Sequence, residues 1–289
     1  MTSPKTGSAV SSSGSEPGRP PLWRRLADPK ILVLIVGFLV VWQLASMVTE
    51  PYTVPRIGDV LAAMGTTLST PDELANLLTT LARVGVGLVV SFAVGLGVGL
   101  LAGTFPAAGG YLLPIVRFVQ GIPSLSWVII AVIWFADVET RVLFVMVLVT
   151  LPGFALQTYD SYRAIPPELR DMARSFRPTA LSMFREVTLP AITPGLFTAW
   201  KVNLGLGIRM VLIAELVGAT VGVGAQLLSA QQLFDMASVV SWTLLLAFCV
   251  LLLQALIDAI EASALRYRGA GRAAARRRPA PSAPAAAKG

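Results

Sequence analysis

Few residues in this chain could do chemistry, and their surroundings limit what that chemistry is. Lys201, Arg209 and Glu215 stand in or at the end of one long apolar run. A charge on a lipid-facing helix costs about 2.5–3.5 kcal/mol on insertion scales, so such residues are expected to face protein or water. If that run lines a pathway, its two cations favour an anionic solute; the alternatives are internal pairing, or snorkelling of the long side chains. Histidine is absent, which removes Ser-His-Asp and Cys-His catalysis and the commonest zinc sites. The single cysteine, Cys249, sits in an apolar run and reads as a small packing residue, without a disulfide or CxxC partner. The four lysines, Lys5, Lys30, Lys201 and Lys288, lie outside any glycine-rich phosphate loop, so no nucleotide site is expected. No loop gathers the acid, base or metal ligands that a membrane enzyme needs, and no cofactor is expected.

The elements that hold these residues are membrane spans. With 55% hydrophobic and 13% charged residues and a mean hydropathy of +0.71, the chain is far from the composition of a soluble domain. Spans of about 20 residues cross a hydrocarbon core of about 30 Å. The apolar runs place six of them at about 31–48, 84–105, 112–136, 142–156, 190–212 and 239–260, in one membrane domain of residues 30–265. Residues 1–29 are rich in Ser, Gly and Pro and read as a disordered tail, as does the basic Ala- and Pro-rich segment 266–289. The first run is too long for a cleaved signal peptide and lacks its cleavage site, so it reads as a retained anchor.

Local signals refine this. Thr70-Pro71-Asp72-Glu73 is a capping box with proline at the first helical position, predicting a helix start whose first orphan amides Thr70 and Glu73 serve. Gly95, Gly99 and Gly103, four apart, strip one face of the second span for close helix packing. Pro123, inside the third span, frees a carbonyl and predicts a bend, tolerated only where neighbours or water satisfy the backbone.

Lys and Arg number five in residues 1–30, five in 158–189 and seven in 266–289. The intervening segments of opposite sidedness hold three, Arg56, Arg83 and Arg141. The bias puts both termini in the cytoplasm and accounts for the net charge of +7 without nucleic acid; anionic lipid is the surface it meets.

The cytoplasmic segment 166–190, PPELRDMARSFRPTALSMFREVTLP, is too patterned for a connector. Pro166 and Pro167 open a helix with Glu168 and Asp171 in its first turn. Leu169, Met172, Ala173 and Phe176 form an apolar face beside a stripe of Arg170, Arg174 and Arg177. Pro178 stops this helix and Thr179 caps the next. Such a helix either lies on the lipid surface or docks in a partner's groove, and the residues alone leave both open.

This segment resembles the conserved cytoplasmic loop of ABC importer permeases: Glu-Ala-Ala, three residues, Gly, nine residues, an aliphatic, one residue, Leu-Pro. Asp171-Met172-Ala173 occupies the first part, Arg177 the glycine position, and Val187, Leu189 and Pro190 the end. The resemblance runs over about residues 50–268 and is closest to permeases for nitrate, sulfonates and taurine. Val54-Pro55 with Asp59, Thr80-Leu81 with Arg83-Val84, Ile122-Pro123, Glu215 with Gly222-Val223-Gly224, and Asp258 after the sixth span also match. It implies a type I importer permease fold, with the loop as a coupling helix whose Asp171, Ala173 and Arg177 contact an ATP-binding cassette subunit. It further implies a second permease copy in a homodimer, an extracytoplasmic solute-binding protein, and multi-pass residence in the cell membrane. Glycine at position 177 would take a left-handed conformation, whereas Arg177 before Pro178 is expected to extend the chain. The rival reading, an ion-coupled secondary transporter, needs a mid-membrane carboxylate and internal repeats; Glu215 is its candidate acid, placed at the outer end of the fifth span.

Overall fold

The structure, a computed structural model, describes residues 29–50 and 52–265. They divide into two units between Ile57 and Gly58. The expectations for the two tails lie outside the described residues, except that Pro29 already opens the first helix.

In the first unit, α1 (Pro29–Val48) is apolar on every side, with Leu34, Val41 and Met47 exposed, as a lipid-facing helix requires. Trp42 Nε1 donates to Pro55 O at 3.0 Å and closes the segment that follows it.

The second unit contains α2 (Ile57–Ser69, whose first residue falls in the first unit), α3 (Pro71–Thr104), α4 (Pro106–Gly121), α5 (Ser124–Trp134), α6 (Val138–Arg163), α7 (Pro167–Ser175), α8 (Ala180–Leu216), α9 (Val223–Gln232) and α10 (Met236–Ala264). All regular structure among the described residues is helical. α3 starts where the capping box predicts, but Thr70 makes no side-chain cap. Pro71 fixes the first helical φ and has no N–H to offer, and the Leu74 amide takes the Thr70 carbonyl at 3.0 Å.

The glycine stripe of α3 lies directly on α6. A methyl group on Gly95 would sit 2.7 Å from Phe154 Cβ, on Gly99 2.5 Å from Ala155 O, and on Gly103 2.6 Å from Tyr162 Cδ1. Contacts therefore advance along α3 and α6 in the same direction, so the two helices run parallel. The chain between them must return across the bilayer, which makes α4 and α5 one broken crossing; the break at Ile122-Pro123 turns by 90°. The bend expected at Pro123 is thus a complete interruption. α6 and α8 run antiparallel, with Met146 against Gly207, Gly153 against Asn203 and Ser161 against Gly195. The described helices thus supply six crossings when α1 is included.

The core between α3, α6, α8 and α10 is built on Leu88, Met146, Phe154, Val211 and Trp242, with Phe92, Phe154 and Trp200 meeting at ring separations of 5.3–5.5 Å. Val128 and Ala131 pin α5 onto Val145 and Met210. The Asp137 carboxylate caps α6 by accepting from the Thr140 amide at 2.8 Å, and the Thr140 amide and hydroxyl hold its pKa below the usual carboxylate range. Two boundaries differ from expectation. α8 begins in the cytoplasmic segment and passes through a wide π-helical turn at Met183–Thr188 before entering the span, and Asp258 lies inside α10 rather than after it.

Candidate functional site

The segment that follows α6 folds as α7 and the first turns of α8, which meet at a corner. Pro167 opens α7, and Glu168 occupies its first turn. Leu169, Met172 and Phe176 are exposed, Phe176 by 80%, and Ala173 lies half-buried beside them. Asp171 and Arg174 pair loosely at 3.8 Å, and Arg170 lies over the Tyr162 ring at 5.8 Å. α7 thus presents an apolar face of Leu169, Met172 and Phe176 that no described residue covers. Thr179 Oγ1 accepts from the Ser182 amide at 3.2 Å and starts the second helix, which delivers Leu189 and Pro190 to the base of the span.

Arg177 corrects an expectation. Its φ is +49°, so it is left-handed in spite of Pro178. Phe176 is the last half-helical residue of α7 and Arg177 follows it, with the Arg177 amide on Arg174 O at 2.9 Å. That is the position where helices commonly close with a left-handed residue, usually glycine. The turn geometry overrides the preference imposed by proline, and the backbone keeps the shape that the resembled pattern assigns to its glycine.

The outer end of the bundle carries a different arrangement. Glu215 is fully enclosed: Arg83 Nη1 lies 2.6 Å from Oε1, the Thr80 hydroxyl donates at 2.9 Å, and the Gly224 amide donates to Oε2 at 2.9 Å. The Val223 amide donates to Thr80 Oγ1 and the Gly222 amide to Asn76 Oδ1, both at 2.8 Å. Gly222 has φ +120°, and a methyl group there would sit 2.6 Å from Glu215 Oε1. A buried carboxylate thus ties the N-terminus of α9 to α3 and α8. Arg83 also reaches Glu139 on α6 at 2.5 Å. Asn76 was not singled out by sequence; the capping-type geometry exists only once α9 folds back.

Of the other pathway candidates, Lys201 is held by Asp258 and, at 2.5 Å, by Glu261 on α10. Arg209 is exposed on α8 with no hydrogen bond or ion pair among the described residues. The three candidates therefore lie in three different surroundings. Sequence reasoning missed Asn203, which is 2% exposed at the mid-span contact of α8 with Gly153 and borders a cavity of about 390 Å³ at the α4–α5 break. The available signal was an amide side chain in an otherwise apolar run.

Comparison with known proteins agrees with this geometry. Residues 95–265, more than half of the chain, match the family of the binding-protein-dependent transport system inner membrane component. The chain is 28% identical over 233 residues to the bicarbonate transport system permease protein CmpB of Synechococcus elongatus, covering 76% of this chain and 84% of that one. It is 23% identical to the putative aliphatic sulfonates transport permease protein SsuC of Bacillus subtilis, over 88% of this chain and 91% of that one. The nitrate import permease protein NrtB of Leptolyngbya laminosa is 27% identical over 64% of this chain and 66% of its own length. In fold, the chain resembles an inward-facing structure of the MetNI methionine ABC transporter with a TM-score of 0.58 and 23% identity, covering 65% of this chain and 93% of that one. A parallel α3–α6 pair, a broken crossing between them and an exposed helix before α8 thus occur in a chain that belongs to the inner membrane components of binding-protein-dependent ABC importers, as a multi-pass permease subunit of the cell membrane.

Proposed function

We propose that this permease moves a small anionic solute inward, and that α7 is the element through which a separate ATP-binding cassette subunit drives it. The observation that carries the reading is the apolar face of Leu169, Met172 and Phe176, ordered yet uncovered, between two helices that cross the bilayer. Movement of α7 pulls directly on α6 and α8, and so on both walls of the central cavity. Glu168, Asp171, Ala173 and Arg177 supply the polar rim of the docking face, and Leu189-Pro190 anchors the lever to the membrane. ATP hydrolysis belongs to the partner. A second copy of the chain completes the pathway, and a solute-binding protein delivers cargo to the outer end. An even number of crossings together with the Lys and Arg bias supports a topology with both ends of the chain in the cytoplasm. The anionic solute is supported by the bicarbonate, nitrate and sulfonate named for the relatives. No observation favours an ion-coupled carrier, since Glu215 is paired with Arg83, and Asp258 and Glu261 with Lys201.

The test is Ala173→Asp, which sets a charge on the docking face without touching a buried group. Co-purification of the ATP-binding subunit with the solubilised permease is expected to fall at least tenfold while thermal unfolding stays unchanged. Retention of that subunit at the wild-type level removes α7 from the role.

A further inference from the structure

The break between α4 and α5 lies level with the centre of the bundle, because its cavity is bordered by Gly153, next to Phe154, which meets Gly95 midway along the second span. α4 ends with the Ile122 amide on Val119 O, and α5 begins with the Ser126 amide on Pro123 O. The amides of Ser124 and Leu125 and the carbonyls of Gln120 and Gly121 are left without a backbone partner among the described residues. Open backbone at that depth persists only where it lines a polar cavity. This cavity is walled by Gln120, Gly121, Ser124, Trp127, Gly153 and Asn203.

Asn203 adds an independent observation. Its Nδ2 donates to Ala199 O at 2.9 Å, which fixes the orientation of the amide, and Oδ1 accepts nothing among the described residues although the residue is 2% exposed. Gly153 gives it room, since a methyl group there would lie 2.5 Å from Oδ1. The cavity is therefore bordered both by one oriented acceptor and by the positive end of the eleven-residue α5.

Charge points the same way. Arg209 shares a face of α8 with Val202 and Leu206, which line the cavity, and Arg117 shares a face of α4 with Gln120 and Gly121. Neither arginine has a hydrogen bond or ion pair among the described residues, whereas Lys201 and Arg83 are neutralised. Arg209 lies toward the outer end of its helix and Arg117 on the cytoplasmic side of the break. No carboxylate lines the cavity.

We propose that the α4–α5 break is the solute's resting place in transit, selective for a small oxyanion that also carries a hydrogen-bond donor. The oxyanion lies on the Ser124 amide and hydroxyl, with Arg209 on the outer side and Arg117 on the cytoplasmic side, both outside the cavity lining, supplying the positive field, and the donor meets Asn203 Oδ1. This rests on the anionic-solute reading above and adds the site and the second recognition element.

The test places a thiol at the site in the full-length permease in membranes, as Ser124→Cys in a Cys249→Ala background. The thiol is challenged with two water-soluble methanethiosulfonates of similar size, one ending in a sulfonate and one in a quaternary ammonium. After correction for intrinsic reactivity, the anionic reagent is expected to react about tenfold faster, and Arg117→Gln or Arg209→Gln to lower that ratio several-fold. Isethionate is expected to slow labelling more than ethanesulfonate, which has the same anion without the hydroxyl, and the difference to vanish in Asn203→Leu. If Ser124→Cys does not assemble, Gln120→Cys reports on the same wall. An unreactive thiol, a preference for the cationic reagent, or a ratio unchanged by both arginine substitutions overturns the site. Equal protection by the two sulfonates, or protection by neither, overturns the ligand class. Labelling does not need the ATP-binding subunit, so its failure leaves the assignment of α7 standing, and failure of α7 to dock leaves this site standing.

Discussion

The two ends of the bundle treat their polar and apolar side chains in opposite ways. At the outer end, Glu215 is enclosed and every oxygen is met by Arg83, Thr80 or Gly224. At the cytoplasmic end, α7 holds Met172 and Phe176 in the open and closes on a left-handed arginine. A charge satisfied wholly by its own chain fastens helices together, while the ordered apolar face of α7 is left uncovered by its own chain, as the docking role proposed for it requires. The contrast predicts that substitutions at the outer end act on stability and those at α7 on assembly.

The largest expected effect is from Glu215→Ala, which leaves Arg83 with Glu139 as its only acidic partner among the described residues, beside an emptied site, and strips partners from Thr80 and the Gly224 amide. Breaking a buried pair on one side costs about 3–5 kcal/mol. Thermal unfolding in detergent is expected to drop sharply, and an unchanged midpoint would remove the fastening role. Next is Gly99→Leu, which forces α3 away from Ala155 and Thr158 at a cost of about 1–3 kcal/mol, as overpacking does. Gly97, with nothing within 4 Å of where its side chain would be, serves as the control, and Gly97→Leu is expected to leave unfolding unchanged. Equal loss from both would argue against the parallel α3–α6 contact.

Smaller and of opposite sign is Arg177→Gly. It relieves a left-handed non-glycine residue, worth about 1 kcal/mol, and slower amide exchange in residues 173–177 is the readout. Faster exchange would show that the arginine side chain orders the turn. The smallest stability effect belongs to Phe176→Ser, expected within about 0.5 kcal/mol of wild type because the ring is already exposed. The same variant is expected to retain several-fold less of the ATP-binding subunit on purification, and a large loss of stability without loss of that subunit would reverse the contrast.

How much could be read without coordinates varies with the range of the interaction. The spans, the glycine face, the α7 helix and its apolar residues were legible because each depends on neighbours within about two turns of one helix. The same holds for Pro123, where a missing amide interrupts its own helix. The state of Lys201 and Glu215 was not legible, because their partners stand 57, 60 and 132 residues away in the chain. Arg177 shows the limit from the other side: a dipeptide preference for extended backbone yielded to the closing turn of a helix.

By itself the sequence determined that this chain lives in a membrane, how many times it can cross, and which segment it offers to the cytoplasm, since solvent transfer and helix periodicity act locally along the chain. Only the tertiary structure decided which charges are neutralised, that α3 and α6 run parallel so that the broken segment between them must cross, and that Asn203 borders the cavity at the break. Those outcomes follow from distances between helices, which no local pattern of residues encodes.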